Sequence, residues 1–167
     1  MKFAGFMEND VVNGEGVCVS FWTQGCPHHC KGCHNPQTWD STKGNELPEN
    51  YVDKVIEKIN RNGILRNLSI LGGEPLCKEN QDIVLNLVTK VRKTYPKIKI
   101  YIWSGYNFED LICQEKVVDI LNASDVLVDG RFVLEQRDVT LHLKGSKNQR
   151  VIDLQKTLDL GKIILYS

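Results

Sequence analysis

The 167-residue chain has no surplus of either charge: 21 Lys and Arg stand against 21 Asp and Glu. That balance removes the electrostatic case for nucleic acid or an anionic membrane surface as partner. No run of about 18 apolar residues occurs, so no bilayer-spanning helix is expected. The first ten residues, Met-Lys-Phe-Ala-Gly-Phe-Met-Glu-Asn-Asp, lack the apolar core of a secretory signal. A cytosolic setting is therefore expected. No internal repeat and no low-complexity stretch is visible. In a reducing compartment the six cysteines read as metal ligands or core thiols more readily than as disulfides.

Strand-like and helix-like segments alternate along the chain. Val17 to Trp22 is almost continuously apolar, as a buried strand would be. Leu68 to Leu71, Ile98 to Trp103 and Val126 to Val128 predict three more strands. Residues 50–61 and 79–93 carry apolar residues at helical spacing, with Asn50 placed as an N-cap. Residues 107–122 predict one or two short helices, and Arg150–Leu154 and Ile163–Tyr166 predict short additional strands. This order implies a mainly parallel sheet with crossover helices. The length falls short of the ~250 residues of a full eight-fold barrel. The expected fold is α/β, a single-domain partial (open) β/α barrel spanning residues 1–167.

Cys26, Cys30 and Cys33 lie in the run Gly25-Cys-Pro-His-His-Cys-Lys-Gly-Cys-His-Asn-Pro36. Three thiolates in a loop containing Pro27 and Gly32 can wrap one side of a 4Fe–4S cube. No clear fourth ligand follows, which leaves one iron open. Zinc is the rival, since a Cys3His set could be completed by His28, His29 or His34. Cysteines so closely grouped, with no separated second pair, favour the iron cluster on spacing. His28, His29 and His34 are otherwise read as loop residues that tune the cluster through hydrogen bonds. Cys18, Cys77 and Cys113 read as small buried hydrophobes, and Trp22, Trp39 and Trp103 as core or rim residues.

Each remaining motif also falls just after an expected strand, where parallel α/β sheets bind ligands. Gly72-Gly73-Glu74-Pro75 follows the second strand, Ser104-Gly105-Tyr106 the third and Asp129-Gly130-Arg131-Phe132 the fourth. Two glycines admit a ligand close to the backbone, and a carboxylate beside them suits an ammonium group. Ser104 can bond a ligand or simply form a turn, and Asp129 is first a turn former.

The cysteine loop together with Gly72-Gly73-Glu74-Pro75 resembles the radical S-adenosylmethionine superfamily. Further stretches narrow the resemblance to the activating proteins of anaerobic (class III) ribonucleotide reductases: Val12-Asn13-Gly14-Glu15-Gly16, Thr38-Trp39, Trp103-Ser104-Gly105-Tyr106, Val128-Asp129-Gly130-Arg131-Phe132 and Gly145-Ser146-Lys147-Asn148-Gln149-Arg150. The resemblance implies that Cys26, Cys30 and Cys33 hold a 4Fe–4S cluster whose fourth iron is chelated by S-adenosylmethionine. It implies that Gly72, Gly73, Glu74, Ser104 and His34 bind that cofactor. Reductive cleavage would give a 5′-deoxyadenosyl radical that places a radical on a glycine of the partner reductase. The electron donor would be a reduced flavodoxin-like protein, and a homodimer is compatible with the resemblance. No side chain is assigned a catalytic role, because cluster and cofactor carry the chemistry. The alternatives are an activase of another glycyl-radical enzyme and a zinc-stabilised interaction module. Two departures stand out. Gly32 replaces the aromatic residue usual in the superfamily before the third cysteine, a glycine that many members of the narrower family share, and Cys18 stands where relatives often have arginine.

Overall fold

The computed structural model describes residues 1–167. It contains strands β1 (Lys2–Asp10), β2 (Cys18–Thr23), β3 (Asn45–Glu46), β4 (Asn67–Gly72), β5 (Ile100–Trp103), β6 (Val126–Asp129) and β7 (Arg150–Asp153). The helices are α1 (Tyr51–Ile59), α2 (Gln81–Thr94), α3 (Phe108–Leu111), α4 (Glu115–Asn122) and α5 (Leu154–Leu160). All seven strands form one sheet in the order β3-β1-β2-β4-β5-β6-β7. The central pairs β2–β4, β4–β5 and β5–β6 are parallel. The flanking pairs β1–β2, β1–β3 and β6–β7 are antiparallel. The sheet is thus parallel in its middle and antiparallel at both margins.

The crossover helices gather on one face. Val19 and Phe21 of β2, Leu68 and Ile70 of β4, Ile100 and Ile102 of β5 and Leu127 of β6 point into the main core. There they meet Val52, Val55 and Ile59 of α1, Ile83, Val84, Leu87, Val88 and Val91 of α2, and Val117, Ile120 and Leu121 of α4. The period of two in the strands and of 3.6 in the helices brings these sets together. Burying each such side chain contributes about 1.5–3 kcal/mol.

The opposite face carries no helix core. Cys18, Tyr101 and Val126 form a small cluster there, joined by Trp103, Leu143, Val151 and Tyr166. Loops roof it instead. Ser69 Oγ donates to the Asn13 carbonyl at 2.6 Å, and Trp103 Nε1 donates to the Leu143 carbonyl at 2.7 Å. Glu15 accepts from the hydroxyls of Tyr101 and Tyr166, tying the 11–17 loop down. Cys18 is fully buried against Ser69 beneath this roof, and burial pushes its thiol pKa up.

Several details differ from the sequence reading. β1 is a nine-residue strand that hydropathy did not reveal. Asn50 precedes α1 but its side chain makes no capping bond. The 163–166 segment supplies only an isolated bridge, Ile152 to Leu165. Cys113 is exposed rather than buried. It follows the short α3, where the apolar side chains that turn inward are Phe108 and Leu111.

Candidate metal and cofactor site

Four loops at the carboxyl ends of β2, β4, β5 and β6 surround one cavity. Its wall includes Cys26, Cys30 and Cys33 from the first, Gly72, Gly73 and Glu74 from the second, Ser104 and Gly105 from the third and Gly130 and Phe132 from the fourth. Every cofactor or metal residue expected from sequence therefore lines it except His34. His34 is exposed, tilts against Phe132 at 5.4 Å between ring centroids, and lines a neighbouring cavity. That second cavity shares Asn13, Cys33, Asn35, Trp103, Phe132 and Gln149 with the first. Their volumes, about 200 and about 400 Å³, together fall in the ~300–1,000 Å³ range of small-molecule sites.

The cysteine loop is stapled at its stem. Gly25 N donates to the Thr38 carbonyl at 2.7 Å and Cys26 N to the Trp39 carbonyl at 3.1 Å. Glu74 N donates to the Gly25 carbonyl at 2.8 Å, joining this loop to the end of β4. A Cβ on Gly73 would stand 2.4 Å from the Gly25 oxygen, so the two backbones approach as closely as they do only because residue 73 is glycine. Gly32 has φ +79° and its missing Cβ would meet Leu134 Cδ1 at 2.8 Å. An aromatic residue there would be strained by this left-handed backbone conformation, which L side chains rarely adopt.

All three thiols are free and partly buried. No three His, Cys, Asp or Glu side chains converge closely enough to hold a single metal ion. Burial pushes the Cys26 thiol pKa up and the Glu74 charge adds to this, while the His28 and His29 amides pull it down. A metal bound at Cys26 would displace the proton of this thiol, since the thiolate is the ligand.

Glu74 is the hub of the site. It is 1 % exposed and its carboxylate accepts four hydrogen bonds. Ser104 Oγ and Leu76 N donate to Oε2 at 2.8 and 2.9 Å, and Gly105 N and His28 Nε2 donate to Oε1, both at 2.7 Å. A buried carboxylate so surrounded compensates its lost hydration. One side chain thus locks the β4 and β5 loops to the cysteine loop. Ser104, expected to bind a ligand or to make a turn, donates to Glu74 and accepts from Tyr106 N at 3.1 Å. Asp129 is buried and accepts from Phe108 N and Arg150, so it braces the mouth of the cavity.

Sequence reasoning did not single out His28 and Gly105 as a unit. A Cβ on Gly105 would lie 2.5 Å from His28 Cδ2, so the imidazole fills the space that glycine leaves. Tyr106 packs edge-on against it at 4.6 Å. His29, by contrast, is exposed and stacks on Trp39 at 4.5 Å. The position of His28 between two cysteines was a usable signal, but its partner 46 residues away was not.

The family described as "4Fe-4S single cluster domain" matches residues 12–152. Curated relatives include the anaerobic ribonucleoside-triphosphate reductase-activating protein of Escherichia coli (strain K12), 36% identical over 93% of this chain and 100% of that one. The protein of the same name from Vibrio cholerae serotype O1 is 37% identical over 89% of this chain and 96% of its own. That of Enterobacteria phage T4 is 36% identical over 85% and 87%.

Proposed function

Because the chain belongs to the family of anaerobic ribonucleoside-triphosphate reductase-activating proteins and carries its 4Fe–4S domain, we propose that it activates such a reductase by radical S-adenosylmethionine chemistry. The observation that carries this reading is the single cavity in which three free thiols meet the Gly72-Gly73 backbone. Separate thiols on one wall suit a cube that offers each a different iron. When bound, the cluster and S-adenosylmethionine supply, on one-electron reduction, methionine and a 5′-deoxyadenosyl radical able to take hydrogen from a glycine Cα.

The chain's own residues hold, orient and shield. Cys26, Cys30 and Cys33 are the cluster ligands. Gly72 and Gly73 offer close backbone approach to the methionyl end of the cofactor, and Glu74 fixes the loops that shape this pocket. Trp103 and Phe132, which line both cavities, limit water around the reacting end. The second cavity gives room for a glycine-containing segment of the reductase. Helices on one face only, with ligand loops at the strand ends, fit an open partial barrel acting as one unit. A reduced flavodoxin-like protein is the electron donor in this reading.

The test is anaerobic reconstitution with iron and sulfide, reduction and addition of S-adenosylmethionine. The expected result is a brown protein that yields 5′-deoxyadenosine and methionine on chromatography. Cys26→Ala, Cys30→Ala and Cys33→Ala should each abolish the yield, and Cys113→Ala should preserve it. A colourless zinc protein, or an iron–sulfur protein that leaves the cofactor intact, would contradict the proposal.

A further inference from the structure

The run Gly145-Ser146-Lys147-Asn148-Gln149-Arg150 is a motif that the functional reading leaves without a task. Its polar side chains are spent on structure. Gln149 Oε1 accepts from Gly145 N at 2.8 Å and from Ser146 N at 3.1 Å, while Nε2 donates to the Gly130 carbonyl at 2.9 Å. Asn148 Nδ2 donates to the Arg131 carbonyl at 2.8 Å, and Ser146 Oγ accepts from Val133 N at 3.2 Å. These bonds pin the segment to the loop after β6 that helps to wall the first cavity. Arg150 is committed to Asp129 and Glu109.

The lysines are not spent in this way. Lys144 Nζ donates to the Gln149 carbonyl at 3.0 Å, and Lys147 is exposed. Neither forms an ion pair, whereas His142 and Arg150 do. From Val139 to Ile152 there is no Asp or Glu, in a chain whose charges balance overall. Both lysines line a third cavity of about 420 Å³ together with His142, Arg150 and Tyr166, and no carboxylate stands on its wall. Lys144 and Gln149 also line the second cavity, so the two adjoin along one groove.

The ends of this groove differ. The second cavity offers Trp103, Phe132, Leu141 and Leu143, with exposed Val12 at its edge. The third offers the ammonium groups, with exposed Leu165 beside them. Uncompensated cations in a concave wall focus a positive potential and draw acidic groups. A small phosphate ligand would answer the charge but leave Val12 and Leu165 bare. A polypeptide lying along both cavities would answer the charge and cover the apolar side chains.

We propose that the third cavity receives an acidic stretch of the reductase chain, flanking the glycine-containing segment that enters the second cavity, with Lys144 and Lys147 paired to its carboxylates. This rests on the functional reading above and names the chemistry of the partner surface.

Carbodiimide, which joins an amine to a carboxylate without a spacer, tests the contact directly on the anaerobic complex of reconstituted protein and reductase. Mass spectrometry should find Lys144 or Lys147 coupled to an Asp or Glu of the reductase. Calorimetric titration of the same pair should give a dissociation constant about tenfold higher in the Lys144→Glu, Lys147→Glu double variant, and about threefold higher in Lys147→Glu alone. Both losses should shrink as salt is raised. Lys147→Glu changes only an exposed side chain and keeps the test valid if the double variant folds poorly. Lys54→Glu, on the exposed side of α1, is the charge-matched control and should bind as the unsubstituted protein does. Unchanged affinity in both groove variants, an equal loss in Lys54→Glu, or coupling confined to other lysines would overturn the proposal. So would inorganic triphosphate that binds the protein without reductase and fails to bind the double variant, which would assign the cavity to a small phosphate ligand. Failure of the unsubstituted protein to bind the reductase would instead sink the functional reading.

Discussion

At the scale of single residues, the site is organised by one carboxylate and the absence of one methyl group. Glu74 collects donors from three segments, and Gly105 leaves the hollow in which His28 rests. Gly105→Ala should push the imidazole off Glu74, because the new Cβ would stand 2.5 and 2.6 Å from its ring atoms. Overpacking of this kind costs about 1–3 kcal/mol. A lower denaturant midpoint and weaker S-adenosylmethionine binding in the same variant are expected. An unchanged midpoint with full binding would show that the ring has room to move. The Trp103-Ser104-Gly105-Tyr106 run was visible in sequence as a motif, but its mechanics were not. Ser104 donates to Glu74, Gly105 supplies an amide and a space, and Tyr106 packs on His28. Each of these needs a partner at least 30 residues away, and no local pattern encodes that.

Among the elements, the parallel centre of the sheet was legible and its margins were not. β2, β4, β5 and β6 are short, apolar and each followed by a turn or metal-ligand signal, so their existence and order could be read directly. β1 reads Lys-Phe-Ala-Gly-Phe-Met-Glu-Asn-Asp and is interrupted at Gly5, where the register with β2 shifts. Its pattern is neither fully alternating nor continuously apolar, because only Phe3 and Asp10 are buried. β7 was seen as a strand, but its antiparallel pairing with β6 and the ion pairs beside it join residues far apart in sequence. Arg150 at its start reaches Asp129 at the end of β6 and Glu109 in α3. Both carboxylates hold the guanidinium pKa above its ordinary value. Arg150→Ala would leave Asp129, 1 % exposed, with only the Phe108 amide. The expected cost is about 1–3 kcal/mol, reduced by the partial exposure of Arg150. Urea titration should show the lower midpoint, and Arg150→Lys should recover part of it. A midpoint equal to that of the unsubstituted chain would mean that β7 is held by its ladder and apolar contacts alone.

For the molecule as a whole, one face of the sheet is devoted to stability and the other to chemistry. Helices and most of the apolar side chains crowd the first. The second is roofed by loops, and the candidate site opens where the central strands end. No helix is long and apolar enough to cross a membrane. The family assignment states what the relatives activate, and the cavity supplies a physical account of how this chain could do the same. The most direct test mixes the reconstituted, reduced protein anaerobically with S-adenosylmethionine and an anaerobic ribonucleoside-triphosphate reductase, and records the electron paramagnetic resonance spectrum. A doublet from a glycyl radical on the reductase, missing when Cys26→Ala is used, is the result expected. A silent spectrum with an intact, reduced cluster and a competent reductase would contradict the account.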